Sequence, residues 1–418
     1  FCLRVVIPNF NEDTSQFLAL YKHLGNTPSE VILNFFKQPV SVFRFMLSEP
    51  RLFYLISLFG PLAFIPLLSP LPLLAALPLF AQHLLSSRAS QFMIQYHYTA
   101  ELIPFIFVSF VFGIKTMLKV KLLYRYRGVL VTAILVCFLA FSYFLGPLFT
   151  LPRLALMDYR KDAYDLEKER FLKQVPARAS VVATFEFLPR LTHRSELYSF
   201  HHQYMGHYTL STKPYSVPVS VRYCLVDFND PLTFRSFYSS DGYRNIQELL
   251  HQGKWGVVDV KDELVLFAKD ADSKYVLYEI LSSEPQPTHK VHGAIDQEVE
   301  FLGFDIKGEG PRSLHLRFFW KAIKKTQKDL NVFINFIDES GSAVSAIVHP
   351  ICYRIYPTNA WIPGQWVSEE AYLTIPPSLA PGRYVIKIGF FDYRTGLGYF
   401  VDPEDALGRI TLGEINTQ

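Results

Sequence analysis

The residues best suited to chemistry lie in the segment QYHYTAELIPF, residues 95–105. His97 and Glu101 stand four positions apart, a spacing that places two side chains on one face of an α-helix. A histidinium can contact a phosphate, and a carboxylate can accept a hydrogen bond from a hydroxyl or bind a metal ion. Tyr98 lies between them, and Arg88 precedes them with a guanidinium that could pair with a pyrophosphate. We therefore predict these four residues as contacts for a ligand that carries a phosphate group and hydroxyl groups.

The same residues also have a structural explanation. His97 and Glu101 could hydrogen-bond each other, or a neighbouring loop, and fix the start of a membrane helix without touching a ligand. Arg88 is explained more simply as a residue that extends its charged end toward the membrane surface. Pro104 weakens the shared-face interpretation, because proline disrupts a regular helix.

Long runs without Asp, Glu, Lys or Arg surround this segment. They cover residues 52–87, 102–114 and 128–152. The last run corresponds to about 37 Å of helix, enough to cross a hydrocarbon core of about 30 Å. The sequence predicts an α-helical polytopic membrane region over residues 51–152, with spans at about 52–68, 71–87, 92–114 and 128–150. Prolines in the first run favour a broken or re-entrant helix for one of its spans.

A basic segment sets the expected orientation. Residues 115–127, KTMLKVKLLYRYR, carry lysine and arginine and no acid, and short basic loops stay in the cytoplasm. His97 and Glu101 are then expected at the outer face of the membrane, and everything after about residue 152 outside the cytoplasm. Residues 1–50 become an extracytoplasmic or interfacial segment, whose mixture of apolar and basic residues suits a helix lying on the membrane surface.

The remainder has the composition of a water-exposed protein. Residues 153–281 alternate strand and helix patterns and predict an extracytoplasmic α/β domain. A polar, proline-containing linker follows at 282–290. From 291 to 418 the pattern consists of strands only, with alternation every two residues, which predicts a C-terminal β-sandwich. No GxGxxG, P-loop or GxSxG motif occurs in the α/β domain.

Few residues of the water-exposed part suggest ligands. Trp361 and Trp366 could stack on sugar rings as glycan contacts, although core packing is the commoner use of such residues. His201, His202 and His207 fit no standard zinc spacing, so we predict no metal site and no other cofactor. The net charge of +3 is too small and too dispersed to favour nucleic acid as a partner.

Several stretches carry a family resemblance. They are RLFYLISLFGPLAFIPLLSPLPLLAALPLFAQHLLSS, QYHYTAELIPFIFVS and ASVVATFEFLPRLTHRSELYSF. In order and spacing they resemble the bacterial membrane-protein family called domain-of-unknown-function family 2079, over about residues 1–270. That family is distantly similar to GT-C glycosyltransferases, which take sugars from polyprenyl-phosphate carriers on the outer side of the membrane. The tail, with WIPGQWV and YLTIPPSLAPGRYVIKIGFFDYRTG, resembles a β-sandwich appended to many such proteins.

The resemblance implies a multi-pass protein of the bacterial inner (plasma) membrane, with membrane lipids and a polyprenyl-phosphate sugar donor as partners. It also implies that the phosphate and sugar expected at His97, Tyr98, Glu101 and Arg88 belong to this lipid-linked donor. GT-C enzymes place their catalytic carboxylate in the first extracytoplasmic loop. Because the chain begins with Phe rather than Met, we interpret it as the C-terminal part of a longer protein and expect that carboxylate upstream, so no catalytic residue is assigned.

The expected function is therefore that of a partial GT-C-like glycosyltransferase. The alternative is a non-catalytic, membrane-anchored envelope protein whose β-sandwich tail binds a glycan or a protein. Transport is a third class that broken helices would suit, but no inverted repeat supports it.

Overall fold

The computed structural model describes residues 16–146, 163–209, 213–310, 312–401 and 405–417. The chain divides into two compact units, Phe1–Arg160 and Lys161–Gln418, called here the N-terminal unit and the C-terminal unit. The described part of the N-terminal unit is helical, and all the described strands lie in the C-terminal unit.

Eight α-helices form the described part of the N-terminal unit, together with short 3-10 helices. They are α1 (Pro28–Lys37), α2 (Pro39–Met46), α3 (Glu49–Phe59), α4 (Leu71–Ala75), α5 (Leu77–Leu85), α6 (Ile103–Leu118), α7 (Lys121–Arg125) and α8 (Arg127–Phe144). Each of α1 to α6 carries a proline in its first two positions. Proline is favoured there because its missing N–H would be unpaired in any case. Since proline cannot continue a preceding helix, these prolines divide the region into short pieces.

The predicted span at 52–68 is broken near its middle. Helix α3 ends at Phe59, and Ala63 and Phe64 then adopt left-handed backbone conformations with φ of 50° and 57°. Left-handed residues cannot continue a right-handed helix. They lie between two 3-10 helices, Gly60–Leu62 and Ile65–Leu68. The predicted span at 71–87 is likewise divided between α4 and α5.

Among the described residues, one helix is long and apolar enough to cross a membrane by length and composition. This is α8, with 18 residues and a mean hydropathy of 2.0. It corresponds to the predicted span at 128–150, of which positions 147–150 lie outside the described residues. The span predicted at 92–114 is replaced by 3-10 and extended segments followed by α6, which is apolar but has only 16 residues. The four-span prediction is therefore not confirmed.

The irregular backbone between α3 and α4 packs against α6. Ser109 on α6 donates its hydroxyl hydrogen to the carbonyl oxygens of Pro66 (3.1 Å) and Ser69. One turn later, Gly113 allows a close approach, since a Cβ there would lie 2.4 Å from the carbonyl oxygen of Ile65. Small residues four positions apart permit such contacts between membrane helices. The serine hydroxyl satisfies carbonyls that a helix would otherwise have paired.

We expect the substitution Gly113→Ala to lower the thermal stability of the detergent-solubilised protein. The added methyl group would meet the Ile65 carbonyl oxygen, a backbone atom that cannot rotate away, and such overpacking costs about 1–3 kcal/mol. Gly128→Ala on α8 is the matched control, because nothing lies within 4 Å of its added Cβ. The measurement is the temperature at which the protein loses its sharp size-exclusion peak. Equal temperatures for the two variants would contradict the close packing at Gly113.

The C-terminal unit begins with an α/β part. Its helices are α9 (Ala163–Gln174), α10 (Phe200–Met205) and α11 (Gly242–His251), and its strands are β1 (Val181–Ala183), β2 (Leu197–Ser199), β3 (Tyr223–Asp227), β4 (Trp255–Lys261) and β5 (Leu264–Lys269). The strand order is β2-β1-β3-β5-β4; β1 is parallel to β2 and β3, and β5 is antiparallel to β3 and β4. The order of the parallel strands reverses at β1. Outside the carboxyl ends of strands at such a reversal, open α/β sheets form their ligand sites.

Two antiparallel sheets form the rest of this unit. Their strands are β6 (Tyr278–Leu281), β7 (His289–Ile295), β8 (Val299–Gly310), β9 (Ser313–Ala322), β10 (Leu330–Ile337), β11 (Ala343–Pro350), β12 (Trp366–Thr374), β13 (Gly382–Asp392), β14 (Gly398–Tyr399) and β15 (Ile410–Thr417). One sheet has the order β6-β12-β9-β8-β7. In the other, β11, β10 and β13 are neighbours, and β14 and β15 both pair with β13. One hydrophobic core joins both sheets, as in a β-sandwich, so the region is β-rich as predicted.

The boundary between the α/β part and the β-sandwich differs from the predicted one at 281. Strand β6 pairs with β12 and therefore belongs to the sandwich, and β7 begins at His289, inside the predicted linker. A four-residue strand is too short for its alternation to be recognised in the sequence. The two parts pack together in one compact unit, and Tyr353 and Ile355 from the sandwich side are buried in the core of the α/β part. The predicted domain start at 153 lies outside the described residues.

Candidate functional site

Three of the four predicted membrane-site residues lie together. The Cζ atom of Arg88 is 5.8 Å from the centroid of the Tyr98 ring, and the rings of His97 and Tyr98 are 4.2 Å apart. Arg88 and Tyr98 are half-buried, and His97 is exposed. Within the part of the chain that the structure describes, neither Arg88 nor His97 forms an ion pair with a carboxylate. We call these three residues the rim cluster.

Glu101 does not share a face with His97, which corrects the prediction. His97–Glu101 form a 3-10 helix with three residues per turn, so residues four positions apart point about 120° away from each other. Helix α6 begins only at Ile103, with Pro104 in its first turn. The Glu101 side chain is exposed, and among the described residues it forms no hydrogen bond or ion pair with His97.

A buried arginine that the sequence analysis missed supports the segment leading to the rim cluster. Arg51 is 6% exposed, and its Nε and Nη2 atoms donate to the carbonyl oxygens of Leu84 and Ser86, each at 2.7 Å. Its guanidinium also lies over the Phe92 ring, 4.3 Å from the centroid. The Ser86 hydroxyl in turn accepts from the backbone N–H of Arg88. Arg51 therefore acts as a positioning residue, and it was overlooked because it directly precedes the charge-free run at 52–87.

The two tryptophans predicted as glycan contacts have different positions. Trp361 is 1% exposed, and its indole N–H donates to the carbonyl oxygen of Tyr356 at 3.0 Å. Its ring lies 6.3 Å from that of Trp320 in the sandwich core, so neither face is open to a sugar and the contact prediction is wrong for Trp361. Trp366 is half-buried at the start of β12.

The three neighbouring histidines have different surroundings. His202 Nε2 lies 2.9 Å from the Thr209 hydroxyl oxygen, and His207 Nδ1 lies 2.9 Å from the carbonyl oxygen of Tyr208. His201 is buried. In the described ranges no group of three or more His, Cys, Asp or Glu side chains is placed to hold a metal ion.

The carboxyl edge of the α/β sheet carries a buried and a half-buried acid that no sequence motif indicated. Asp227 ends β3, and Glu186 follows β1. Lys168 from α9 reaches both, with its Nζ atom 2.7 Å from Glu186 and 3.3 Å from Asp227. Burial, reinforced by the charge of Asp227, raises the pKa of Glu186 to about 7. Lys168 therefore forms ion pairs with both carboxylates. They lie at the carboxyl ends of β1 and β3, where the strand order favours a ligand site.

A second buried group joins the α/β part to the sandwich. The His349 ring lies between two carboxylates, with Nδ1 3.7 Å from Glu263 and Nε2 3.4 Å from Glu369. Burial alone would lower the pKa of His349, but the two carboxylates overcome it and raise the pKa to about 9. Burial raises the pKa of Glu263 to about 7, although His349 opposes this shift. We call His349, Glu263 and Glu369 the junction cluster.

A left-handed turn lies beside the junction cluster. Cys352, Tyr353 and Arg354 have φ of 50°, 51° and 54°, a conformation that costs non-glycine residues roughly 1–2 kcal/mol each. Glu369 accepts a hydrogen bond from the Cys352 backbone N–H, which holds the start of this turn. The turn directs Arg354 to the carbonyl oxygen of Phe228 at the end of β3. The strained backbone thus brings the sandwich against the carboxyl edge of the α/β sheet.

Cavities open along this junction, and two of them lie beside the carboxyl end of β3. The first, of about 450 Å³, is lined by residues that include Tyr164, Glu263 and Asn229. A carboxyl group whose pKa lies near neutrality at a cavity wall has the properties of a general acid or base, which makes Glu263 a candidate for such a role. The second cavity, of about 700 Å³, shares Asn229 and Val348 with the first.

Comparison with known protein families identifies a match. The family model described as "Predicted membrane protein (DUF2079)" matches residues 1–266, which cover the N-terminal unit and the α/β part as far as β5. The sandwich strands β6 to β15 lie outside this match. No curated protein matches the chain.

Proposed function

Because the chain belongs to the DUF2079 family of predicted membrane proteins, we propose that it is a membrane-embedded, GT-C-like glycosyltransferase that uses a polyprenyl-phosphate-linked sugar on the outer side of the membrane. The rim cluster is the observation that carries the proposal. It combines a guanidinium and an imidazole beside one tyrosine ring, and neither cation-forming group is neutralised by a carboxylate of the described chain. Such an arrangement suits a phosphate.

In this proposal the rim cluster serves the departing phosphate. The acceptor hydroxyl attacks the anomeric carbon and loses its proton to a carboxylate base, while the bond between the sugar and its carrier phosphate breaks. Arg88 and protonated His97 stabilise the negative charge that develops on the leaving phosphate oxygen. Glu101, exposed on the 3-10 helix, accepts hydrogen bonds from sugar hydroxyls.

The basic segment 115–127 supports the proposed location. It comprises the end of α6, helix α7 and the first residue of α8, and it contains no acid. A cytoplasmic position for it places the opposite ends of α6 and α8 toward the outer face. The rim cluster, which precedes α6, and the C-terminal unit, which follows α8, are then both extracytoplasmic in a bacterial plasma membrane.

We expect Arg88→Ala to reduce transfer about tenfold or more, since a hydrogen bond to a charged group contributes about 1.5–3 kcal/mol. His97→Ala should lower both transfer and retention of the carrier phosphate. The assay follows a radiolabelled sugar from its polyprenyl phosphate to membrane acceptors, with the full-length protein in liposomes. Arg44→Ala is the matched control, because Arg44 is an exposed cation of the same unit. Unchanged transfer in both Arg88→Ala and His97→Ala would end the proposed phosphate role.

The second candidate is a non-catalytic envelope protein, anchored by the N-terminal unit, that binds a glycan or a protein through its C-terminal unit. The two cavities at the junction of the α/β part and the sandwich favour it. A full-length protein that binds saccharide but transfers none from any polyprenyl-phosphate donor would support this candidate over the enzyme.

A further inference from the structure

The second junction cavity has the dimensions and place of a small-molecule site. Its volume of about 700 Å³ falls in the usual range of roughly 300–1,000 Å³. One wall follows the carboxyl end of β3 and includes Asn229, Arg235 and Tyr238; the other comes from the end of β13 and the turn after it, with Tyr393 and Arg394. Both walls belong to one compact unit, so the cavity lies within that unit.

The cavity wall carries two arginines whose charge no acidic residue of the cavity lining neutralises. Arg235 and Arg394 are both exposed, and no acidic residue lines the cavity. The Arg235 side chain forms no hydrogen bond or ion pair with any described residue. Arg394 donates from Nη1 to the carbonyl oxygen of Gln327 at 3.2 Å, and its remaining donors form no ion pair within the described chain. Two guanidinium groups with free donors are suited to bidentate contact with a carboxylate or a phosphate.

Two tyrosines provide the apolar part of the cavity. The rings of Tyr238 and Tyr393 lie 5.8 Å apart at an interplanar angle of 49°. Arg354 packs against Tyr393, with its Cζ atom 3.9 Å from the ring centroid, and its own charge is paired with Asp329 at 3.3 Å. Tyr393 is therefore held from within the protein by a neutralised arginine. Aromatic side chains with polar tips suit ligands that present both a ring face and hydroxyl groups.

We propose that this cavity binds an anionic saccharide, with a sugar ring against Tyr238 and Tyr393 and its carboxylate or phosphate group on Arg235 and Arg394. The inference goes beyond the proposed sugar transfer, because the site lies in the C-terminal unit and uses none of the rim-cluster residues. A uronic acid and a sugar phosphate share the required chemistry, a ring that carries one charged group. The charged group distinguishes the ligand from a neutral glycan, and the ring distinguishes it from a free anion.

Calorimetric titration of the full-length protein in detergent tests the site with four probes: trigalacturonate, glucose 1-phosphate, neutral maltotriose and inorganic phosphate. We expect binding of trigalacturonate or glucose 1-phosphate, and much weaker binding of maltotriose and phosphate. Binding of trigalacturonate would show that the arginines recognise a carboxylate, and binding of glucose 1-phosphate would show that they recognise a phosphate. Binding should weaken as salt is raised, because the charged groups are solvent-exposed.

Arg235→Ala and Arg394→Ala should each weaken binding about tenfold or more, and the lysine variants should recover part of the loss. The matched control is Arg383→Ala, an exposed arginine of β13 that pairs with Glu414. Melting temperatures should stay unchanged in all the variants. The proposal would be overturned if neither charged sugar bound, or if maltotriose or phosphate bound equally well. It would also be overturned if the Arg235→Ala/Arg394→Ala double variant kept full affinity. Sugar transfer is measured on the same variants. Because the site uses none of the rim-cluster residues, loss of saccharide binding here and loss of transfer in the rim-cluster variants are separate results.

Discussion

Replacing Glu369 with alanine is expected to destabilise the C-terminal unit by about 3–5 kcal/mol, the usual cost of removing one partner from a buried charged pair. Glu369 is fully buried on β12. Its Oε1 atom accepts from the indole N–H of Trp320 at 3.0 Å, and its Oε2 atom accepts from the backbone N–H of Cys352. Oε2 also lies 3.4 Å from the ring of His349. Alanine would leave all three groups in the interior without their acceptor.

Intrinsic fluorescence can follow this effect in the full-length protein. All four tryptophans of the chain lie in the C-terminal unit, so their emission reports the unfolding of that unit. We expect the Tm of Glu369→Ala to fall by about 10 °C, given about 2–4 °C per kcal/mol for a unit of this size. Glu414→Ala is the control, because exposed pairs such as Glu414 with Arg383 contribute only about 0–1 kcal/mol. A Tm for Glu369→Ala that matches the control would show that the junction cluster does not stabilise the unit.

The stability of the C-terminal unit is expected to fall as the pH rises from about 6 to about 9. The folded chain raises the pKa of His349 from 6.5 to about 9, so this contribution is fully present below about pH 6.5 and is lost as the pH rises through 9. It amounts to about 3 kcal/mol. Burial also raises the pKa of Glu263, to about 7. The folded carboxyl then keeps a proton that the unfolded chain releases above about pH 4.5, so its contribution decreases as the pH rises from about 4.5 to about 7 and is constant above that.

The groups that face His349 are Glu263 on the β4–β5 turn, Glu369 on β12 and the Tyr353 ring 5.0 Å away. Since His349 and Glu263 titrate as an interacting pair, their two contributions do not simply add. The free energy of unfolding is measured by urea titration with tryptophan fluorescence at several pH values between 6 and 9. His349→Gln removes the imidazole and should flatten this dependence, whatever its own stability. A wild-type curve that is flat or rises over this range, or an equally steep curve for His349→Gln, would contradict the role of His349.

The sequence allowed the prediction of features whose cause is local. Alternation along β9 and β13 predicted strands, because alternate side chains face the sandwich core. The prolines predicted a broken helix within residues 52–87, because proline lacks the N–H that a continuing helix needs. The same reasoning could not find the left-handed pair Ala63 and Phe64, since neither residue type favours that conformation. The residues that follow the pair, Ile65 and Pro66, pack against α6, a contact that the sequence does not reveal.

The junction cluster could not be predicted, because its members come from separate elements. Glu263 follows β4, His349 lies in β11 and Glu369 in β12, and each is an ordinary residue of a turn or strand in the sequence. Only the packing of the sandwich on the α/β part brings them together. Trp361 was predicted wrongly for another reason. A tryptophan in a hydrophobic core and one on a sugar-binding surface cannot be told apart in the sequence. Tertiary burial decides between these uses.

The pairing of β6 with β12 has a consequence for any attempt to divide this chain. A fragment that begins at the predicted boundary of 291, or at any residue after Leu281, would lack β6. The backbone N–H and C=O groups of Trp366, Val367, Ser368 and Glu369 that now face β6 would be left without their partner strand. Such an open strand edge invites pairing with another molecule, so the isolated sandwich is expected to aggregate. In the whole chain the edge of this sheet is β6, which has only four residues, and such a short edge strand offers less backbone for pairing than the nine residues of β12.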